Sequence, residues 1–162
     1  MKKLVFIPLF VSFLSADGVF SIGHKNFSFN IGQDNIYGND YTVIGVSFNY
    51  FLVDNFSTGI TYTAWLGDDP AINKFTIPFT YYVPLSKVSY RPYLGAFYSH
   101  TLMGDNDGYS YRDYDSYGGK VGITFKVSPN SYVSLGWVQE FYDDGIESSS
   151  RGYPQFSGGV SF

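Results

Sequence analysis

Along most of the chain apolar and polar residues exchange places at every second position, the period of a β-strand with one apolar face. Eight such runs follow one another. The first opposes Phe27, Phe29 and Ile31 to Asn26, Ser28, Asn30 and Gly32, and the second Ile44, Val46, Phe48 and Tyr50 to Val43, Gly45, Ser47 and Asn49. The third sets Phe56, Thr58, Ile60, Tyr62 and Ala64 against Ser57, Gly59, Thr61 and Thr63, and the fourth Phe75, Ile77, Phe79 and Tyr81 against Thr76, Pro78 and Thr80. In the fifth, "YRPYLGAFYSH", Leu94, Ala96 and Tyr98 compete with Tyr93 and Phe97 for the apolar face. The sixth puts Val121, Ile123 and Phe125 opposite Lys120, Gly122 and Thr124, and the seventh Val133, Leu135 and Trp137 opposite Ser134, Gly136 and Glu140. The eighth alternates to the last residue, with Phe156, Gly158, Val160 and Phe162 against Gln155, Ser157, Gly159 and Ser161. Each run is about the nine to eleven residues that a tilted strand needs to cross a bilayer.

Alternation alone fits a soluble sandwich as well as a barrel in lipid. Three further features favour the barrel. The polar faces hold mostly Gly, Ser, Thr and Asn, which suit a cramped interior, where a water-facing side would carry more Lys and Glu. Connections alternate between tight ones, "LVDN", "VPLSKVS" and "SPNS", and long polar ones, "GQDNIYGND", "LGDDPAIN", "TLMGDNDGYSYRDYDSYG" and "YDDGIESSSRG". Aromatic residues stand at strand ends, among them Tyr41, Tyr50, Tyr62, Trp65, Tyr81, Tyr82, Tyr90, Tyr98, Tyr117 and Tyr132, as at a lipid headgroup level.

The start of the chain reads as a leader. Lys2 and Lys3 precede the apolar run "LVFIPLFVSFL" and the small pair "SA", so residues 1–16 are expected to be a secretory signal peptide cut after Ala16, leaving one domain over 17–162. With no cysteine, the exported protein has neither disulfides nor thiolate metal sites.

A leader, eight alternating strands, turns short and long by turns and the ending "GVSF" together resemble the small eight-stranded outer-membrane β-barrels, the group of OmpX, the opacity-type proteins and the OmpA transmembrane domain. The resemblance covers the mature chain and implies a closed antiparallel eight-stranded transmembrane β-barrel, with short periplasmic turns and long extracellular loops. It implies that the last strand pairs with the first and that Phe162 is read by the barrel-assembly machinery. Outer-membrane lipid and lipopolysaccharide become the expected surroundings, and no peptidoglycan-binding domain is expected after the barrel.

Charge refines the picture. Of the 14 acidic residues, eleven fall in the four long connections, where only Arg112 and Arg151 are basic, for a formal −9. Such polarity excludes nucleic acid and points to an acidic outer surface for cations, sugars or basic proteins. The richest segment supplies the candidate extracellular interaction loop, Asp105, Asp107, Tyr109, Tyr111, Arg112, Asp113, Tyr114 and Asp115. Inside, Lys120 and Glu140 share faces with Gly, Ser and Thr, and a register counted from Pro129 and Asn130 places them directly opposite, as a structural filler or a gating latch.

No catalytic, metal or cofactor site is expected. Ser99 and His100 are adjacent, so in a strand they point to opposite faces and cannot share a proton. His24 lacks a partner, and "GDNDG" carries only half of a calcium loop. The expected function is structural and surface-interactive, of adhesion type, through acidic Tyr-rich loops. The rival is a narrow pore for small solutes, suggested by the many lumen-facing glycines, and a lipid A-modifying enzyme comes third.

Overall fold

The computed structural model describes residues 18–36, 39–67, 70–85, 89–104, 112–143 and 148–162, together with their side chains other than those of 33–36, 39, 143 and 148. After a short 3-10 turn, Gly18–Phe20, come eight strands: β1 (Lys25–Ile36), β2 (Asn39–Val53), β3 (Phe56–Gly67), β4 (Ile72–Tyr82), β5 (Tyr90–Met103), β6 (Tyr114–Ser128), β7 (Ser131–Asp143) and β8 (Ser148–Ser161). Each pairs antiparallel with its neighbours in sequence, and β1 with β8 closes the sheet into a barrel. Tracing partners once around, from Asn26 through Asn49, Gly59, Pro78, Phe97, Gly118, Glu140 and Arg151, and extending the β8 register back to β1, arrives at Ile36, a stagger of ten residues. A stagger of this kind means that the strands tilt against the barrel axis.

The alternation decides what each face meets. Phe29, Ile31, Ile60, Val121, Trp137 and Phe156 point outward and leave a broad apolar exterior open. Asn26, Ser28, Ser57, Thr63, Ser99, Ser116 and Thr124 point inward and are buried. This is the reverse of a water-soluble protein, and only hydrocarbon around the barrel makes such an exterior favourable. In β5 the competition resolves by parity: Leu94 and Tyr98 face out, while Tyr93 and Phe97 fill the lumen.

The connections differ from the expected lengths. At one end, the turn end, strands are joined through Asp54 and Asn55, residues 83–89, and Pro129 and Asn130; at the other, the loop end, through 37–38, 68–71, 104–113 and 144–147. Pairing between β1 and β2 continues to Ile36 opposite Asn39, so most of "GQDNIYGND" is strand, and much of "YDDGIESSSRG" likewise belongs to β7 and β8. The ladder is made of backbone groups, so it runs on through polar residues beyond the apolar belt. At the Asp54 turn, Asn55 takes φ 66°, a left-handed conformation that asparagine tolerates.

Candidate functional site

The lumen is the one place where charged side chains converge among the described residues, and three layers of packing build it. At the turn end, Val19 and Phe20 fold into the mouth and are buried against Phe51 and Tyr132, with Tyr82 beside them. Phe20 meets Phe51 edge-on at 6.0 Å and Tyr82 at 4.7 Å, and the Arg91 guanidinium lies 4.7 Å from its ring centroid. The backbone holds the turn in place, with Asn55 N–H donating to the Phe20 carbonyl at 2.8 Å and Ile22 N–H donating to the Asp54 carboxylate at 2.8 Å. At the loop end, Tyr41, Trp65 and Ile72 form a second apolar cluster, flanked by Val43 and Met103.

Between these seals lies an ionic cluster centred on Glu140, which is fully buried. One of its oxygens, Oε1, accepts from the Lys74 ammonium and from the Ser116 hydroxyl at 2.6 Å; the other, Oε2, accepts from Arg151 Nε at 3.1 Å. The cations are themselves braced by rings, Lys74 at 5.8 Å from Trp65 and Arg151 at 5.9 and 5.6 Å from Tyr142 and Tyr153. A carboxylate removed from water is tolerated only when charge and hydrogen bonds satisfy it, and here three donors on β4, β6 and β8 do so.

Lys120 is not part of this cluster, contrary to the expected pairing with Glu140. Lys120 stands opposite Val138, and Glu140 opposite Gly118. The two-residue turn, which sets Ser128 opposite Ser131, and a bulge between Lys126 and Ser128 each move the register by one position from the count that paired Lys120 with Glu140. The Lys120 ammonium lies 6.0 Å from the Tyr93 ring and its stem fills the space over Gly95, where a Cβ would come within 2.9 Å of Lys120 Cε. Lys74 and Arg151 went unassigned to the lumen in the sequence reading. Their parity was the available signal: Lys74 is in phase with Thr76 and Thr80, and Arg151 with Gln155 and Ser157.

Four of the lumen glycines, Gly118, Gly122, Gly136 and Gly159, are slots for rings. A Cβ on Gly136 would meet the Tyr93 hydroxyl at 2.1 Å, on Gly118 the Phe97 ring at 2.6 Å, and on Gly159 the Tyr132 hydroxyl at 2.6 Å. Hydroxyl pairs tie the remaining wall together, Thr61 with Ser47 at 2.8 Å, Thr76 with Ser99 at 2.8 Å and Thr124 with Ser134 at 2.7 Å.

No protein-family model matches the chain, and no characterised protein matches it in sequence. Solved structures do match. The chain is similar to the N-terminal β-barrel domain of Pseudomonas aeruginosa OprF, with a TM-score of 0.68 at 15% identity over 88% of this chain and 98% of that one. It is also similar to Neisserial surface protein A, with a TM-score of 0.58 at 17% identity over 85% and 94%, and to Ail, the attachment invasion locus protein of Yersinia pestis, with 0.53 at 12% over 87% and 99%. The chain has the fold of the small outer-membrane β-barrels.

In this barrel the remaining sequence candidates separate. Phe162 joins the closure, exchanging backbone hydrogen bonds with Lys25 at 3.0 and 2.9 Å while its ring points outward. Asp105, Asp107, Tyr109 and Tyr111 lie outside the described residues. Arg112 and Asp113 precede β6, and the Asp113 carboxylate accepts the Met103 N–H at 3.0 Å. Tyr114 and Asp115 are not loop residues but the first of β6, where Tyr114 packs on Tyr142 at 5.5 Å. His100 Nδ1 lies 2.8 Å from the Asp115 carboxylate on the outer surface, at the loop-end limit of the β5–β6 ladder. That hydrogen bond, and then one from Tyr98, hold the Asp115 carboxyl below its usual range. Ser99 is buried in the lumen, on the opposite face from His100, so the two make no catalytic pair.

The expected aromatic girdle divides in the same way. Tyr50, Tyr62, Tyr90, Tyr98 and Tyr117 are exposed on the lipid side, whereas Tyr41, Trp65, Tyr82 and Tyr132 face inward and build the seals. Position along a strand predicted both sets equally; only the parity of each residue distinguishes lipid anchor from plug.

Proposed function

We propose that this is a surface-interaction and structural protein of the outer membrane, whose lumen is a packed support and whose acidic, Tyr-rich loop end carries the contacts. The observation behind this reading is the pair of apolar seals with the Glu140 cluster between them. A lumen closed at both mouths in this way leaves the exterior and the loop end as the surfaces that meet the surroundings. The loop end faces outward and the turn end faces the periplasm. Residues 1–16 direct export, and cleavage after Ala16 frees Gly18–Phe20 to fold into the mouth. Phe162 serves as the signal to the barrel-assembly machinery, and lipopolysaccharide surrounds the outer half of the belt. The chain is not an enzyme in this reading, since Ser99 and His100 are on opposite faces.

Replacing residues 105–111 by a Gly-Ser linker of equal length tests the proposal. Adherence of cells displaying the protein to a panel of glycan and protein surfaces is expected to fall severalfold, while heat-modifiable gel mobility shows the barrel still folded. Undiminished adherence with a folded barrel would contradict a role for this loop.

A further inference from the structure

The barrel wall is incomplete along one seam. β1 and β8 pair only from Asn26 opposite Ser161 to Asn30 opposite Ser157. Toward the loop end both strands continue, β1 paired to β2 as far as Ile36 and β8 paired to β7 as far as Ser148, with no ladder between them. Pro154 stands in this stretch of β8 and has no N–H to offer a neighbour. Gly32 faces the gap from the other side, and a Cβ placed on it would have no atom within 4 Å.

A cavity of about 270 Å³ occupies the lumen behind this seam. Its walls include lumen-facing Thr61, Gln155 and Lys120, and also Ile31 and Phe156, which belong to the lipid-facing side of β1 and β8. Ile31 and Phe156 are 69% and 64% exposed, so the cavity runs from the lumen out to the hydrocarbon. Each end has its own chemistry. Outside, unpaired strand edges between apolar side chains are a poor place for water. Inside, the Lys120 ammonium has neither an ion pair nor a hydrogen bond among the described residues, and the carboxylate of Glu140 is already engaged by Lys74 and Arg151. Lys120 is therefore a buried cation with no carboxylate beside it among the described residues, at the inner end of an apolar slot.

We propose that the β1–β8 seam is a lateral binding site for a single-chain carboxylate amphiphile of the fatty-acid class. Its head group enters the lumen to pair with Lys120, and its alkyl chain leaves between Ile31 and Phe156 into the bilayer. The volume holds a head group and the first few methylenes, each close in size to a water molecule of ~30 Å³, and leaves no room for a two-chain lipid. This site is independent of the surface role of the loops and requires only the barrel.

Trp65 lines the cavity and serves as a reporter, while Trp137 lies on the lipid side. In full-length Trp137→Phe protein folded in a neutral maltoside detergent, sodium 2-bromohexadecanoate places its quenching bromine beside the carboxylate. Saturable quenching of Trp65 is expected, with apparent affinity at least tenfold weaker in Lys120→Met and lost in Gly32→Phe, whose ring blocks the slot. The neutral 2-bromohexadecanol is expected to bind at least tenfold more weakly than the acid. Equal binding of acid and alcohol, or no change in Lys120→Met, would overturn the head-group assignment, and unaltered quenching in Gly32→Phe would overturn entry through the seam. A homodimer that Gly32→Phe dissociates, with no quenching of Trp65 in the parent protein, would assign the seam to a second copy of the chain instead. Lys120→Gln and Gly32→Leu replace any variant that loses heat-modifiable mobility.

Discussion

Glu140 shows what a single residue contributes inside the barrel. It neutralises two cations on strands that are not its own, and removing its charge takes from Lys74 and Arg151 the buried carboxylate they share. Breaking a buried ionic cluster by deleting one partner costs about 3–5 kcal/mol. Glu140→Gln is therefore expected to lower the unfolding free energy by that order in urea titrations of the protein in lipid vesicles, with an unchanged midpoint as the contrary result. Gly136 makes the complementary point about volume. Alanine there collides with the Tyr93 hydroxyl, and overpacking of this kind costs about 1–3 kcal/mol. Tyr93→Phe in the same background should recover part of the loss, because it removes the colliding oxygen. Neither partnership was legible beforehand. Lys74 reaches Glu140 across the lumen from a strand 66 residues away, and nothing local in "INKFTIPF" marks it.

At the scale of the strand, period-two alternation assigned all eight elements, because a side chain facing hydrocarbon and one facing a polar lumen must differ in kind at every step. Strand ends were less legible. Side chains mark where the apolar belt stops, but the backbone ladder goes on, as it does through Asp34 and Asp40 on β1 and β2. Register was hidden by the bulge near Lys126, which no hydrophobic pattern reveals. The seams also differ from one another. Where β1 lacks its β8 partner, beyond Asn30, amide exchange is expected to be faster than in the fully laddered β6–β7 hairpin, and hydrogen–deuterium exchange in bilayer nanodiscs measures it. Equal protection of Ile31, whose N–H faces the missing β8 partner, and Gly122 would contradict the gap. At the loop end of the β5–β6 hairpin, the Asp115 carboxyl is lowered by His100, so its contribution exists above its unfolded value and disappears as pH falls through the folded one. Acid should therefore loosen the ends of this hairpin first, as seen by exchange at Thr101 and Tyr114, and His100→Ala should weaken that dependence, leaving the part due to Tyr98.

For the molecule as a whole, one inversion organises everything: apolar residues outside, polar residues within, and apolar clusters again only at the two mouths. The first two parts were readable from alternation and the third was not, since Tyr41, Trp65, Tyr82 and Tyr132 look like girdle residues until their parity is set against a known register. Of the glycines that suggested a pore, Gly118, Gly122, Gly136 and Gly159 are the recesses into which Tyr93, Phe97 and Tyr132 pack. A barrel so filled should not conduct. The most direct test is single-channel recording of the refolded wild-type protein in planar bilayers, with folding verified by circular dichroism and heat-modifiable mobility. A silent membrane is the predicted result. Discrete openings of the folded wild-type barrel would contradict the sealed lumen and return the pore to first place.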